Sequence, residues 1–281
     1  MNGGRPGGQP AVYVLHATLA PRMLTSALHA PWRYRHLLGN LVLRDLRVKY
    51  KGSSIGFAWS FLHPLLMAAV YTVAFKYIVR IQVEHFPVFL LTGLLPWTFF
   101  SAAVTTATGS IADNAPLVRK VAFPRVVLPL AAVLSQFVQF LLMYAAVVPV
   151  AAVLGVAPSV ALLALLPLVC LELLLASGVA LVGATAYVYF RDTRHLLDVL
   201  LQVWFWATPI VYPLSLVPER FQWLSRLNPM TLLVESCHEV VLQHQWPDPA
   251  VVAGLVVWTA VALGLGAWLF FRHERRFAEL V

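Results

Sequence analysis

Apolar residues fall into long blocks separated by short polar breaks. About 20 apolar helical residues cross a hydrocarbon core of roughly 30 Å. Blocks of about that length or somewhat shorter lie at residues 53–79, 87–111, 126–154, 160–190, 196–209 and 250–271. The pattern predicts an all-α polytopic membrane protein with six transmembrane helices. The fourth block is long enough to tilt or to project beyond the bilayer.

Residues 213–248, between the fifth and sixth blocks, are too polar for an ordinary span and too apolar for a solvated loop. They hold two candidate short helices. One covers 218–227 and carries Arg220, Trp223 and Arg226. The next starts at Asn228, a good N-cap, with Pro229 at the first helical position, where its missing N–H costs nothing. If this second helix crossed the membrane, the basic C-terminal cluster would fall outside. A re-entrant or interfacial hairpin on the external side avoids that, with its backbone satisfied by protein or water.

Before the first span, His36, Asn40, Arg44, Arg47 and Lys51 recur at helical spacing and draw one polar stripe. Leu38, Leu41, Val42, Leu46 and Val48 are expected to lie mostly away from it. Residues 31–52 thus read as an amphipathic interfacial helix, apolar side down. Each basic residue there gains roughly 1 kcal/mol from anionic membrane lipids. A plain anchor is the bland reading, and a helix that also leans on a cytoplasmic partner is the functional one. Residues 1–30 lack the apolar core of a signal peptide and read as a cytoplasmic tail. Residues 53–281 form the transmembrane domain.

Composition agrees with these patterns: 60% of the 281 residues are hydrophobic and 11% are charged. Charge then sets orientation. The tail, the interfacial helix and the segments 112–125, 190–195 and 272–281 hold sixteen of the twenty Lys and Arg, so both termini belong inside. A net charge of +8 is explained by those loops and does not point to nucleic acid. Cys170 and Cys237 form neither a disulfide framework nor a metal cluster pattern.

Three stretches are more specific. Residues 44–65 (RDLRVKYKGSSIGFAWSFLHPL) resemble the approach to the first span in ABC exporter permeases for O-antigen, teichoic acid and capsule polysaccharides. Residues 116–125 (PLVRKVAFPR) look like the cytoplasmic loop after that family's second span. Asn228-Pro229-Met230 looks like its motif before the last span. The resemblance covers residues 32–277. It implies a homodimer that works with two copies of a separate ATPase and exports a lipid-linked polysaccharide, with O-antigen the first reading, across the bacterial inner membrane. No G-x-x-x-x-G-K-[ST] loop occurs in the chain, so ATP and Mg are expected on the partner, and no enzymatic activity or bound cofactor is expected here. The resemblance also implies an ATPase-coupling helix at about 114–123, carrying Asn114, Leu117, Arg119, Lys120 and Phe123. Pro116 suits its start and Pro124 its end. The bland reading of Arg119 and Lys120 is topology setting alone.

By the same resemblance the first and fifth spans line the channel. Their aromatics are Phe57, Trp59, Phe61, Tyr71 and Phe75, then Trp204, Phe205, Trp206 and Tyr212. Aromatic faces stack on sugar rings without gripping any one of them. Interfacial belts are the competing explanation, and Trp204, Phe205 and Trp206 cannot all face one way. Glu172, in the fourth span, costs about 2.5–3.5 kcal/mol if charged. It is protonated, paired, or facing water. His63 is equally ambiguous. Glu235 and Glu239 repel at i, i+4 and are expected to face solvent or substrate. Two other functions compete with polysaccharide export. An exporter of the same architecture for a small lipid, drug or ion fits the spans. A proton-coupled secondary transporter would need more intramembrane carboxylates and an internal repeat.

Overall fold

The computed structural model describes residues 34–51, 58–121 and 123–281. The tail at 1–30, the start of the first span and Phe57 lie outside them, and Trp59 and Phe61 are described by backbone alone. Helix α1 is Arg35–Tyr50. Its exposed side carries the predicted stripe, while Leu41 is buried and Leu37, Leu38 and Val42 pack beside it. Val48 departs from the expectation at 69% exposed. It stands four residues after Arg44, so the helical period returns it to the polar side.

Helix α2 (Ala58–Tyr71) contains Pro64 and widens into a π-helical stretch at Thr72–Ile78. There follow α3 (Phe86–Asp113), α4 (Ala115–Lys120) and α5 (Val127–Val153). A tight turn at Val160–Ala164 leads into α6 (Leu165–Tyr189). Then come α7 (Thr193–Ala207), α8 (Glu219–Arg226), α9 (Pro229–Leu242) and α10 (Pro249–His273). The chain finishes in a turn at Glu274–Arg276 and the short α11 (Phe277–Leu280).

The six predicted spans are unequal. Among the described residues four helical segments, built on α3, α5, α6 and α10, are long and apolar enough to cross a membrane. The first span shows a shorter apolar stretch, Leu62–Ile78. The fifth, α7, has 15 residues, about 22 Å of helix. It stops where Thr208 turns extended, ahead of Pro209, as the residue before a proline prefers.

Helix α3 is the centre of the bundle. Phe86, Phe99, Phe100, Ala103 and Ala107 on it are fully buried against its neighbours. Close approach fixes the rest. A Cβ on Gly266 of α10 would sit 2.2 Å from the Gly178 carbonyl oxygen of α6, and one on Gly178 would sit 2.5 Å from Ala262. A Cβ on Gly183 would meet Thr108 Oγ1 of α3 at 2.3 Å. Small residues at such crossings let backbones meet where no hydrophobic drive exists between helices.

The two ends of the bundle differ. At one, Arg44 meets Asn114 and Arg125 meets Glu274. At the other, His85 meets Leu154 and His238 meets Phe89. The first end gathers the basic segments, which the positive-inside rule expects on the cytoplasmic side.

Gly266→Ala is expected to destabilise the bundle by about 1–3 kcal/mol, the usual cost of overpacking. Gly264→Ala, whose Cβ would meet nothing within 4 Å, is expected to hold or raise the melting temperature. Thermal melts of the two variants in detergent compare them directly, and equal losses would contradict the crossing.

Candidate functional site

Two sites emerge, one at the cytoplasmic end and one along the bundle. At the cytoplasmic end, Asn114 closes α3 and opens α4. Its Nδ2 donates to the Ser110 carbonyl at 2.8 Å, and its Oδ1 accepts from Arg44 Nη1 at 3.1 Å. Val118 is buried and Leu117 packs beside it, while Arg119, Lys120 and Val121 stay exposed.

The expected coupling helix at 114–123 is shorter in the structure. It ends at Lys120 because Val121 is extended. Phe123 does not present itself on the surface with Arg119 and Lys120; it packs inward against the same cluster as Val118. Standing before Pro124, it is disfavoured from helix.

A brace that the sequence did not announce holds α4 from behind. Phe277 is fully buried, its ring edge-on to Phe270 at 5.2 Å, in one cluster with Val118 and Val281. Arg119 donates to the Val281 backbone oxygen. The Arg125 N–H donates to Glu274 Oε1 at 2.8 Å, and its guanidinium donates to the Glu274 carbonyl.

The second site is a groove of about 420 Å³ between α2, α3 and α7. Its aromatic wall is Tyr71, Trp97 and Phe205. Tyr71 stacks with Phe205 at 6.4 Å, and Trp97 lies 5.7 Å from Phe205. Its polar wall is Thr98, Ser101 and Thr105 of α3 with Asp198 and Gln202 of α7. Thr98 and Ser101 donate to carbonyls of their own helix, which leaves hydroxyl oxygens free to accept. His63 also lines the groove. These five polar residues are not among those the sequence singles out. Their signal was present, polar side chains three or four apart inside apolar helices, but a hydroxyl among alanines is weak without its partner helix.

The predicted channel aromatics separate. Tyr71 and Phe205 face this groove, and Phe75 packs beside Tyr71 with centroids 6.1 Å apart. Trp204 turns the other way. Its Nε1 donates to Asn228 Oδ1 at 2.8 Å and its ring lies edge-on to Phe100. One turn of α7 thus sends Phe205 to the groove and Trp204 to the hairpin. Tyr212 donates to the Trp206 carbonyl at 2.7 Å and borders a separate apolar cleft with Phe221 and Trp258.

Asn228 joins these parts. Its Oδ1 also accepts from the Met230 N–H at 3.0 Å, the expected cap, and its Nδ2 donates to Thr208 Oγ1 at 2.9 Å. The hairpin is more deeply set than expected. Met230, Leu233, Val234 and Val240 of α9 are fully buried. His238 stacks on Phe89 at 4.1 Å and bonds its carbonyl. Arg220, Trp223 and Arg226 of α8 remain exposed, with Arg220 over the Phe221 ring at 4.8 Å. Glu235 and Glu239 do not simply face solvent: both are half-buried, and Glu239 accepts from the Asp248 N–H. Burial, and then the Glu239 charge, push the Glu235 carboxyl up to about 7 against the pull of Arg226. Glu172 lies neither in the groove nor in a vestibule. It is 1% exposed, beside Tyr144 and Cys237, and its Oε1 has no hydrogen-bond partner among the described residues.

These features define a polytopic helical membrane protein with a braced short helix, α4, and a helical hairpin before its last span. The ABC-2 type transporter model matches residues 36–242, and the chain belongs to that family. It is 34% identical over 256 residues to the O-antigen export system permease protein RfbA of Myxococcus xanthus, covering 89% of this chain and 97% of that one. It is 31% identical to the RfbA of Klebsiella pneumoniae, covering 87% and 95%. The polysialic acid transport protein KpsM of Escherichia coli is 25% identical, over 83% and 92%.

The raised Glu235 pKa means that protonation favours the folded hairpin. Stability is expected to fall as pH rises from the ordinary carboxylate value of 4.5 to about 7, and to level off above that. Glu235→Gln is expected to flatten the dependence. Thermal melts across this range check it, and equal slopes in both proteins would refute the assignment.

Proposed function

We propose that the chain is the permease subunit of an ATP-driven exporter that moves a lipid-linked polysaccharide, O-antigen, outward across the bacterial inner membrane. The observation that carries this reading is the groove. Stacked aromatics oppose a row of hydroxyl, amide and carboxylate groups on α3 and α7. A sugar has apolar ring faces and a polar rim, and both walls match it. None of these contacts is a tight clamp, so a polymer can advance from one sugar to the next. The names of the relatives, export permeases for O-antigen and a transport protein for polysialic acid, support the same substrate class.

Two copies complete the path. The outer faces of α2 and α7 expose Leu65, Leu66 and Val70, then Val199, Leu200 and Val203. These faces flank the groove and supply an apolar surface for a second copy. The ATPase, carrying ATP and Mg, docks on α4 at Arg119 and Lys120, and the 274–281 brace passes its thrust to α10. The reading also accommodates Glu172, which is buried away from the groove and so does not offer the proton path of a secondary transporter.

Reconstitution of the permease with its ATPase in vesicles tests this. Stimulated hydrolysis and outward movement of the lipid-linked polymer are expected together. Arg119→Glu with Lys120→Glu is expected to abolish stimulation while the permease stays folded. Tyr71→Ala is expected to slow polymer movement by about tenfold, if a ring stack is worth about 1–3 kcal/mol as it is for bases, with hydrolysis kept. An assembled complex that hydrolyses ATP and moves no polymer would sink the proposal.

A further inference from the structure

A second cavity, of about 470 Å³, opens at the cytoplasmic end between α1, α3 and α5. Its walls are polar where membrane helices are usually apolar. Thr106, Ser110 and Asn114 stand four residues apart along α3 and form one ladder. Gln136 and Gln139 of α5 face them, and Gln136 Nε2 donates to Thr106 Oγ1 at 3.3 Å across the cavity. Gln139 lies about 18 Å along α5 from its cytoplasmic start, at roughly 1.5 Å per residue. The crevice therefore reaches well along α5, away from the end that carries α1 and α4.

A cation reaches into it. Lys49 extends from α1 and donates to Gln139 Oε1 at 2.5 Å. Burial lowers the pKa of this ammonium. Among the described residues no carboxylate lies within ion-pair distance of Lys49. Of the other charges on the walls, Arg44 is neutralised by Asp45, and Asp113 lies near Arg194. A partly desolvated cation beside neutral amides is short of an anion. Polar groups at this depth mark a path for something polar.

We propose that this crevice receives the phosphate and first sugar of a lipid-linked glycan from the cytoplasmic leaflet. Lys49 takes a phosphate oxygen. Thr106, Ser110 and Gln136 offer oxygens and an amide to sugar hydroxyls, and the lipid tail stays outside in the bilayer. This inference rests on the export reading, which supplies the lipid-linked glycan, and places its loading site apart from the groove.

The exporter complex in nanodiscs, corrected for empty discs, is titrated with dodecyl phosphate, dodecyl glucosyl phosphate, dodecyl glucoside and inorganic phosphate. The glucosyl phosphate is expected to bind tightest. Lys49→Gln is expected to weaken both phosphorylated lipids by about tenfold, the loss of one charge-assisted bond, and to leave the glucoside unchanged. Lys49→Arg is expected to restore most of the affinity. Gln136→Leu, with Thr106→Val as a second variant, is expected to weaken the glucosylated probes and spare dodecyl phosphate. Unchanged phosphate binding in Lys49→Gln overturns the proposal. So does inorganic phosphate competing as well as the glucosyl lipid, or an equal loss for every probe. If the binding pattern holds while the wild-type complex moves no polymer, the export reading fails and the binding site stands.

Discussion

Helices in a bilayer gain nothing by hiding apolar surface from one another, so backbones must come close enough to attract by packing. In this chain that constraint is met where Gly266 rests on the Gly178 carbonyl. The crossing ties α10 to α6, and Gly183 against Thr108 ties α6 to α3. With that centre closed, α9 fits against α3, and α2 and the short α7 are left on the outside. The groove exists because those two helices do not complete the packing around α3. The same looseness leaves their outer faces apolar and exposed.

The external end is held by a polar node rather than by small residues. Asn228 caps its own helix, accepts from Trp204 and donates to Thr208. A side chain with one carbonyl and one amide group is used almost fully. The node fixes the end of α7 to the start of α9, and Phe205, the next residue after Trp204, is thereby aimed at the groove. A motif that looks like a helix cap thus also orients the groove wall.

Much of this was legible in the sequence, and the limits are physical. The existence of the long spans and the cap at Asn228 follow from local rules of length and capping. The inward turn of Phe123 and the deep seat of Glu235 do not, because each depends on packing with elements far along the chain: the cluster that holds Phe270 and Phe277 for one, and the seating of α9 against α3 and α10 for the other. Trp204, Phe205 and Trp206 were readable as three rings that cannot all face one way, but which of them faces the groove depends on where Asn228 lies in space. Phe277 gave no signal at all: an aromatic after a basic cluster looks like a tail until α4 is placed beneath it.

The cytoplasmic and external ends are joined by one helix. α3 begins under the His238 stack, carries Thr98, Ser101 and Thr105 on the groove wall, and ends at Asn114, which is also the cap of α4. No flexible linker intervenes, so a displacement of α4 is a displacement of the end of α3. The brace from Phe277 and Glu274 makes the same demand of α10. Two helices therefore leave the α4 end of the bundle, one through the groove wall and one through the glycine crossing. On the proposed docking at α4, a displacement there meets well-packed neighbours in α3, α5 and α6 and lightly packed ones in α2 and α7, which are the helices that shape the groove.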